Sequence, residues 1–456
     1  MNFPIPWLAV CIAQYCLAAR GEGGSASAPK ITLNPVVLAE LVESARTNHP
    51  GLRAAGLRVT AAQHAVSAVK IWGDPMFRFG GMVSGDPGPD LEMEGDLLYE
   101  LEQPVPLFGK GTAMRKEAEA GVAVAAAEEA DKLQNLRRTL VQTAFQLALA
   151  DETLAIGEED LALIDRMMAF ARERLAAGLD SNLNLLRLEN ERARREQQQT
   201  TDTLQRDFLR ATLDRLIGGR ASSPWQTFAL PDVAPFVPFT DRMIELATKY
   251  EPRLQVLRRE IEMAEAGIEV ARRERYPDVS LGIEGRQWSG SGGFREGAFT
   301  VGLSLPWLNR SRVRAQIDRG RTQTEALREE AADYTLGVRQ ELFRVWTKID
   351  AARREAILYR DQILPRSMQA VETAMAGWSS GRTMFLDLLE ARRMLTEARL
   401  MRARALAEQH LMITELVTCC GLGELDSLSM LLPDANGSST NSAPASPLPP
   451  LAPTAR

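Results

Sequence analysis

Leu97–Gly111, LLYELEQPVPLFGKG, is the stretch that decides how this 456-residue chain is read. Leu97, Tyr99 and Leu101 alternate with Leu98, Glu100 and Glu102. A period of two describes a strand with two different faces. At Pro106 the alternation stops and a helical pattern takes over. A second such junction stands about 200 residues later, at Ala298–Ser311, AFTVGLSLPWLNRS. There Phe299, Val301, Leu303 and Leu305 alternate with Thr300, Gly302 and Ser304 around Pro306.

The junctions belong to a longer repeat. Pro50 and Pro252 are 202 apart, as are Pro75 and Pro277, and Pro106 and Pro306 are 200 apart. Gly178–Leu186, GLDSNLNLL, lies over Gly381–Leu389, GRTMFLDLL, at an offset of 203. Landmarks at nearly constant offset mark an internal duplication. The chain divides into halves 34–218 and 239–423, joined by a proline-rich linker at 219–238.

Each half follows one plan. Asn34 can cap a first helix with Pro35 in its opening turn, and a second helical run follows Pro50. Strands are expected at about 76–83 and 96–104, and a proline-free helix over about 111–177. Such a helix reaches roughly 100 Å and must pack sideways on other long helices. The turn at Gly178–Ser181 reverses the chain, and a helix over about 182–217 returns to Gly218-Gly219. In the second half the strands are expected at about 278–285 and 298–305. A long helix over about 312–377, kinked at Pro365, and a return helix over about 384–420 complete it.

The strand pattern suits a transmembrane β-strand, apolar toward lipid and small or polar toward a lumen. A soluble hairpin with one buried face gives the same alternation. Four strands cannot close a barrel around water, and open edges are forbidden in lipid, so the membrane reading requires partner chains.

Hydrophobic and charged contents of 45% and 25% are ordinary for a folded protein. A net charge of −6 gives no basic signal for nucleic acid. The opening apolar run, MNFPIPWLAVCIAQYCLAA, marks 1–28 as a signal peptide, although no Lys or Arg precedes it. The Ser/Pro/Ala-rich tail, 433–456, reads as disordered. No catalytic constellation is present, so neither an enzyme nor a cofactor is expected. His49, His64 and His410 are scattered, and Cys419-Cys420 before Gly421 read as a helix end, so no metal site is expected.

Two hairpins and two pairs of very long helices in a twofold repeat resemble the TolC-like outer-membrane efflux family, over nearly all of 34–423. The resemblance is carried by Glu102–Lys110 (EQPVPLFGK), Tyr276–Leu281 (YPDVSL), Leu305-Pro306-Trp307, and Gly381 with Leu386–Ala391 (LDLLEA). The PLFGK and YPD forms are most similar to the family's heavy-metal branch.

The resemblance implies a mainly α fold with transmembrane β. Long antiparallel helical hairpins form an α-barrel, and four strands per chain contribute to a trimeric, 12-stranded outer-membrane β-barrel. It implies a homotrimer in the outer membrane of a Gram-negative bacterium, extending into the periplasm. Its partners would be a periplasmic adaptor and an inner-membrane RND-type pump. The function implied is a passive export duct, with heavy-metal cations as cargo. The alternatives are the same channel serving drug efflux or type I protein secretion, or a soluble periplasmic coiled-coil adaptor.

Site residues follow from the same likeness. Pro106 and Pro306 mark the passage from barrel to tunnel. Asp387 and Glu390, at i and i+3, share a helix face and would form acidic rings at the periplasmic gate, with Arg382 as an ion-pair partner. Asn184 and Arg187 hold the matching places in the first half, so the acids come from the second half alone. The tip turns, with Gly178, Ser181, Gly381 and Thr383, would meet the adaptor.

Overall fold

A computed structural model describes residues 30–82, 96–178, 181–219, 227–288 and 292–422. The signal peptide and the tail expected at 1–28 and 433–456 lie outside the described residues. Strand β1 (Ile31–Thr32) precedes helices α1 (Pro35–Asn48) and α2 (Pro50–Ala68). Asn34 caps α1 by accepting from the Val37 N–H at 2.9 Å. Pro35 and Pro50 open their helices where an N–H would have no partner. A hairpin of β2 (Met76–Met82) and β3 (Asp96–Val105) follows. After a tight turn at Leu107–Gly109, α3 (Lys110–Ala176) runs unbroken for 67 residues. Helix α4 (Asn182–Ile217) returns, and β4 (Phe228–Ala229) lies in the linker.

The second half holds α5 (Asp241–Tyr250), α6 (Pro252–Arg273), β5 (Val279–Trp288), β6 (Phe294–Leu303), α7 (Arg310–Leu358), α8 (Leu364–Ser379) and α9 (Phe385–Cys419). Its hairpin is longer than the alternation suggested. Glycines in its turn read as loop, yet Gly285 pairs with Gly297, and Arg286 bonds Glu296 at 3.2 Å across the ladder. Ladder bonds need backbone, not side chains. The distortion expected at Pro365 begins upstream, as a π-turn at Tyr359–Ile363. Pro365 has no N–H, and its ring would strike the carbonyl four residues back, so the preceding turn widens. The linker carries one element the composition hid. Strand β4 pairs in parallel with β1, and the Phe228 N–H donates to buried Asp151 at 2.9 Å.

The helices stand side by side as columns. Helices α2 and α4 run along α3, α6 and α9 fill the next column, and α7 and α8 the last. Two cores sit near mid-length. Leu38, Leu140, Phe145 and Leu213 form the first-half core, and Met243, Leu254, Leu342 and Ile413 the second-half core. A third core at the far tip draws on both halves through Ile164, Met167, Leu188, Trp378 and Leu388.

At the other end the sheet order is β2-β3-β5-β6, antiparallel throughout, so β2 and β6 are open edges. Alternation places Phe77, Phe79, Leu101, Ile283, Phe299, Val301 and Leu303 on one face, all exposed. No helix among the described residues is long and apolar enough to cross a membrane.

Candidate pore and gate

The joint between sheet and helices is built from the two motifs first noticed in the sequence. Pairing of β3 with β5 ends at Val105 and Val279, just before Pro106, which has no N–H to continue the ladder. Phe108 then turns left-handed, at φ 65°. A non-glycine residue held there stores on the order of 1–3 kcal/mol, which its surroundings must offset. The Phe108 ring stacks on Tyr276 with centroids 5.2 Å apart. Arg275 lies 4.8 Å from the Tyr276 ring centre, and Arg273 Nη1 donates to the Phe108 carbonyl at 3.3 Å. Lys110 Nζ meets Asp278 Oδ1 at 2.6 Å. The PLFGK and YPD stretches are therefore two parts of one joint. At the matching place in the second half, Pro306 opens the turn Pro306–Asn309 that leads into α7.

The sheet face opposite the apolar one is charged. Arg78 bonds Glu100 and Glu102, each at 2.9 Å, and Arg286 meets Glu284 at 3.1 Å and Glu296 at 3.2 Å. Glu100 and Glu284 stand opposite each other in the β3–β5 ladder. Four carboxylates against two guanidinium groups leave this face acidic.

At the tip, Asp387 and Glu390 both lie on the exposed side of α9, while Phe385, Leu388 and Leu389 face the core. Asp387 also caps its helix, with Oδ2 accepting from the Met384 N–H at 3.2 Å. A carboxylate is favoured at this end of a helix. The ion pair expected of Arg382 is not made within the chain. Its Nε donates to Ser380 Oγ at 2.9 Å instead. The Arg382 and Thr383 N–H groups both turn back to the Gly377 carbonyl, at 2.8 and 3.2 Å. Gly178 and Gly381 take left-handed angles of 69° and 72° in the two tip turns. Ser181 caps α4 by accepting from the Leu183 N–H at 3.2 Å.

Sequence reasoning missed what holds the tip together. Arg392, on α9, is 4% exposed, and its Nη1 meets both Asp160 oxygens at 2.9 Å. Its Nη2 bonds Glu191 at 2.9 Å, and Thr396 donates to Asp160 at 2.9 Å. Helices α3, α4 and α9 are thereby tied across the two halves. Lower down, Arg174 Nη1 donates to the carbonyls of Trp378 and Ser379 at 2.9 and 3.0 Å. Trp378 is buried between Phe170 and Phe385. The only local hint was a tryptophan just ahead of the tip turn.

A family model described as outer membrane efflux protein matches residues 41–219 and 243–421. The chain belongs to this family. The outer membrane efflux family model thus covers both halves and skips the linker between them. The chain is 23% identical over 303 residues to the cobalt-zinc-cadmium resistance protein CzcC of Cupriavidus metallidurans, covering 66% of this chain and 71% of that one. Its fold is that of the CusC channel, with a TM-score of 0.76 at 17% identity, covering 89% of this chain and 96% of CusC. The outer-membrane channel OprN superposes with a TM-score of 0.74 at 19% identity, covering 89% and 98%.

The histidines are dispersed. His64 is exposed, and His49 precedes α2. His410 stacks on Phe145 at 5.2 Å, and its Nε2 lies 3.0 Å from the Asp232 carbonyl. Burial lowers the His410 pKa from its ordinary value. Among the described residues no group of three or more His, Cys, Asp or Glu could hold a metal ion. Cys419 and Cys420 are free, and burial pushes both thiols up to about 12. At pH 8 both are protonated. Alkylation at these positions is therefore expected to run about a thousandfold slower than for a free cysteine until the protein unfolds. Mass mapping of a maleimide pulse checks this, and rapid labelling of the folded protein would contradict it.

Proposed function

We propose that this chain is the outer-membrane duct of a tripartite export system in a Gram-negative bacterium. It acts as a homotrimer, performs no reaction, and passes heavy-metal cations. An inner-membrane RND-type pump drives the flow through a periplasmic adaptor that meets the tip turns. The observation that carries this reading is a four-stranded sheet with an exposed apolar face and two open edges, standing on columns of long helices. In lipid such edges must be paired, and three copies would supply twelve strands in a closed ring. A soluble adaptor would bury the apolar strand face against its own core.

Cation transport is supported by the acidic sheet face, which becomes the lumen when the apolar face meets lipid, and by Asp387 and Glu390. Acidic rings favour cations in a narrow passage. The relative named for cobalt, zinc and cadmium resistance agrees with this.

Conductance of the detergent-purified protein in a planar bilayer tests it. Wild type should show small, cation-selective openings. Asp387→Ala with Glu390→Ala should enlarge them on the order of twofold and weaken the cation selectivity. Openings unchanged by the mutations would remove the gate assignment and leave the duct. A protein that stays soluble without detergent and never inserts would remove the duct.

A further inference from the structure

We propose that the joint between sheet and helices is a collar for anionic phospholipid headgroups of the leaflet that faces the periplasm. The proposal rests on the channel reading above and adds to it a lipid class and the residues that hold it.

The collar shows first as charge. The chain as a whole carries −6. Four segments meet at the joint: the seven residues before β2, the seven before β5, and the first seven of α3 and of α7. Together they hold ten Lys and Arg against three acids, Asp74, Glu274 and Asp278. Helix α3 opens with Lys110, Arg115 and Lys116, and α7 with Arg310, Arg312 and Arg314. Neither helix has an acid in its first turn. The start of a helix is the positive end of its dipole, so cations there cost stability and acids would relieve it. Helix stability does not account for six cations at these two ends. Negative charge from outside the chain does.

Few of these charges are answered within the chain. Lys70 pairs with Asp74, Lys110 meets Asp278 at 2.6 Å, and Arg115 meets Glu119 at 3.2 Å. Arg312 reaches Glu274 only at 3.9 Å. Arg273 and Arg275 hold the Phe108 carbonyl and the Tyr276 ring. Among the described residues Lys116, Arg310 and Arg314 make no ion pair, and all three are exposed.

The depth of the joint agrees. Strand β3 has ten residues, about 33 Å of extended chain. At the tilt of membrane strands it rises about 25 Å, the height of the apolar band of an outer-membrane barrel. The band then ends at the joint. There Trp72, Trp307 and Leu308 are 59%, 43% and 78% exposed. Tryptophan at the end of an apolar band marks the headgroup level.

A cleft of about 660 Å³ opens at this level. Val105, Val279 and Leu305, the last of the apolar rows, border it. Lys70, Lys110 and Arg312 line it against Glu274 and Asp278, which leaves it positive. The cleft offers an apolar wall for the first carbons of an acyl chain and a cationic mouth for the phosphate. A zwitterionic headgroup brings its own ammonium and gains less there than an anionic one. Basic clusters flanking a membrane span attract anionic lipids on these grounds.

Native mass spectrometry of the full chain in detergent, titrated with phosphatidylglycerol or phosphatidylethanolamine, tests this. Wild type should hold phosphatidylglycerol on the order of tenfold more tightly, with the preference fading as ionic strength rises. Arg310→Gln with Arg312→Gln and Arg314→Gln should cut the preference to about twofold or less. Arg319→Gln with Arg321→Gln and Arg328→Gln removes equal charge from the same helix further from the joint, and should leave the preference intact. If the collar triple fails to assemble, Lys116→Gln with Arg314→Gln, which breaks no ion pair, should weaken the preference about threefold. Equal binding of the two lipids by wild type, or equal loss in both triple variants, would overturn the collar and leave the channel. Displacement of phosphatidylglycerol by an equal concentration of inorganic phosphate would make the joint a general anion site and overturn the lipid assignment. A chain that stays soluble without detergent and takes up neither lipid would overturn the collar and the channel reading together.

Discussion

Arg392→Ala should destabilise the tip by about 3–5 kcal/mol, the range for removing one partner of a buried ion pair. Arg392 and Asp160 side chains are each 5% exposed, and Glu191 is 16% exposed. Without the guanidinium, Asp160 keeps the Thr396 hydroxyl and a distant Arg195 at 3.7 Å. Its charge stays in a site that water barely reaches. Arg392→Lys should recover little, since one ammonium cannot serve Asp160 in a two-pronged fashion and Glu191 as well. The neighbouring Arg393 binds the same Glu191 but is half exposed, so Arg393→Ala should change stability by about 1 kcal/mol at most. Thermal unfolding in detergent and protease cleavage near the tip turns measure the difference. Equal effects of the two alanine variants would remove the buried network as the tip's main tie.

Gly421→Ala should be nearly as damaging. Gly421 ends the return helix at φ 63°, and an added Cβ would stand 2.7 Å from the carbonyl carbon of Tyr250. The left-handed angle alone disfavours alanine by about 1–2 kcal/mol. Displacing packed backbone adds about 1–3 kcal/mol. Gly218 holds the same place in the first half, at φ 100°, with its Cβ site 2.7 Å from the Asn48 carbonyl oxygen. Each return helix thus abuts the end of the short helix that stops before Pro50 or Pro252. Gly121→Ala, inside α3 with only Met263 Sδ nearby at 3.8 Å, is the control and should be neutral or stabilising. A loss below about 1 kcal/mol for Gly421→Ala would refute the close packing.

The architecture was readable because its signals are local. Alternation in Leu97–Leu101, prolines at the joints and the unbroken run before Gly178 each act within a few residues. Period two also told the apolar face from the charged one, since the ladder preserves it. The tip network was hidden for the opposite reason. Arg392 meets Asp160 and Glu191 across 232 and 201 residues, and nothing beside it announces a partner. The pairing of Arg382 with the tip acids rests on the family likeness alone, and within the chain its Nε donates to Ser380 Oγ. Strands β1 and β4 are two residues each, too short to show any period.

The position of the three cores along the chain bears on biogenesis. The first-half core uses residues from Leu33 to Phe228, with Leu411 at its rim, and β1 is already fastened to β4 at that point. The second-half core begins only at Val237. The tip core needs Leu388 and Leu389 of α9, the last helix to be made. In order of synthesis the residues of the first-half core are therefore nearly complete well before those of the tip core. A chain cut short before α9 would keep nearly all of its first-half core and lose the tip core's Phe385, Leu388, Leu389 and Ala391 together.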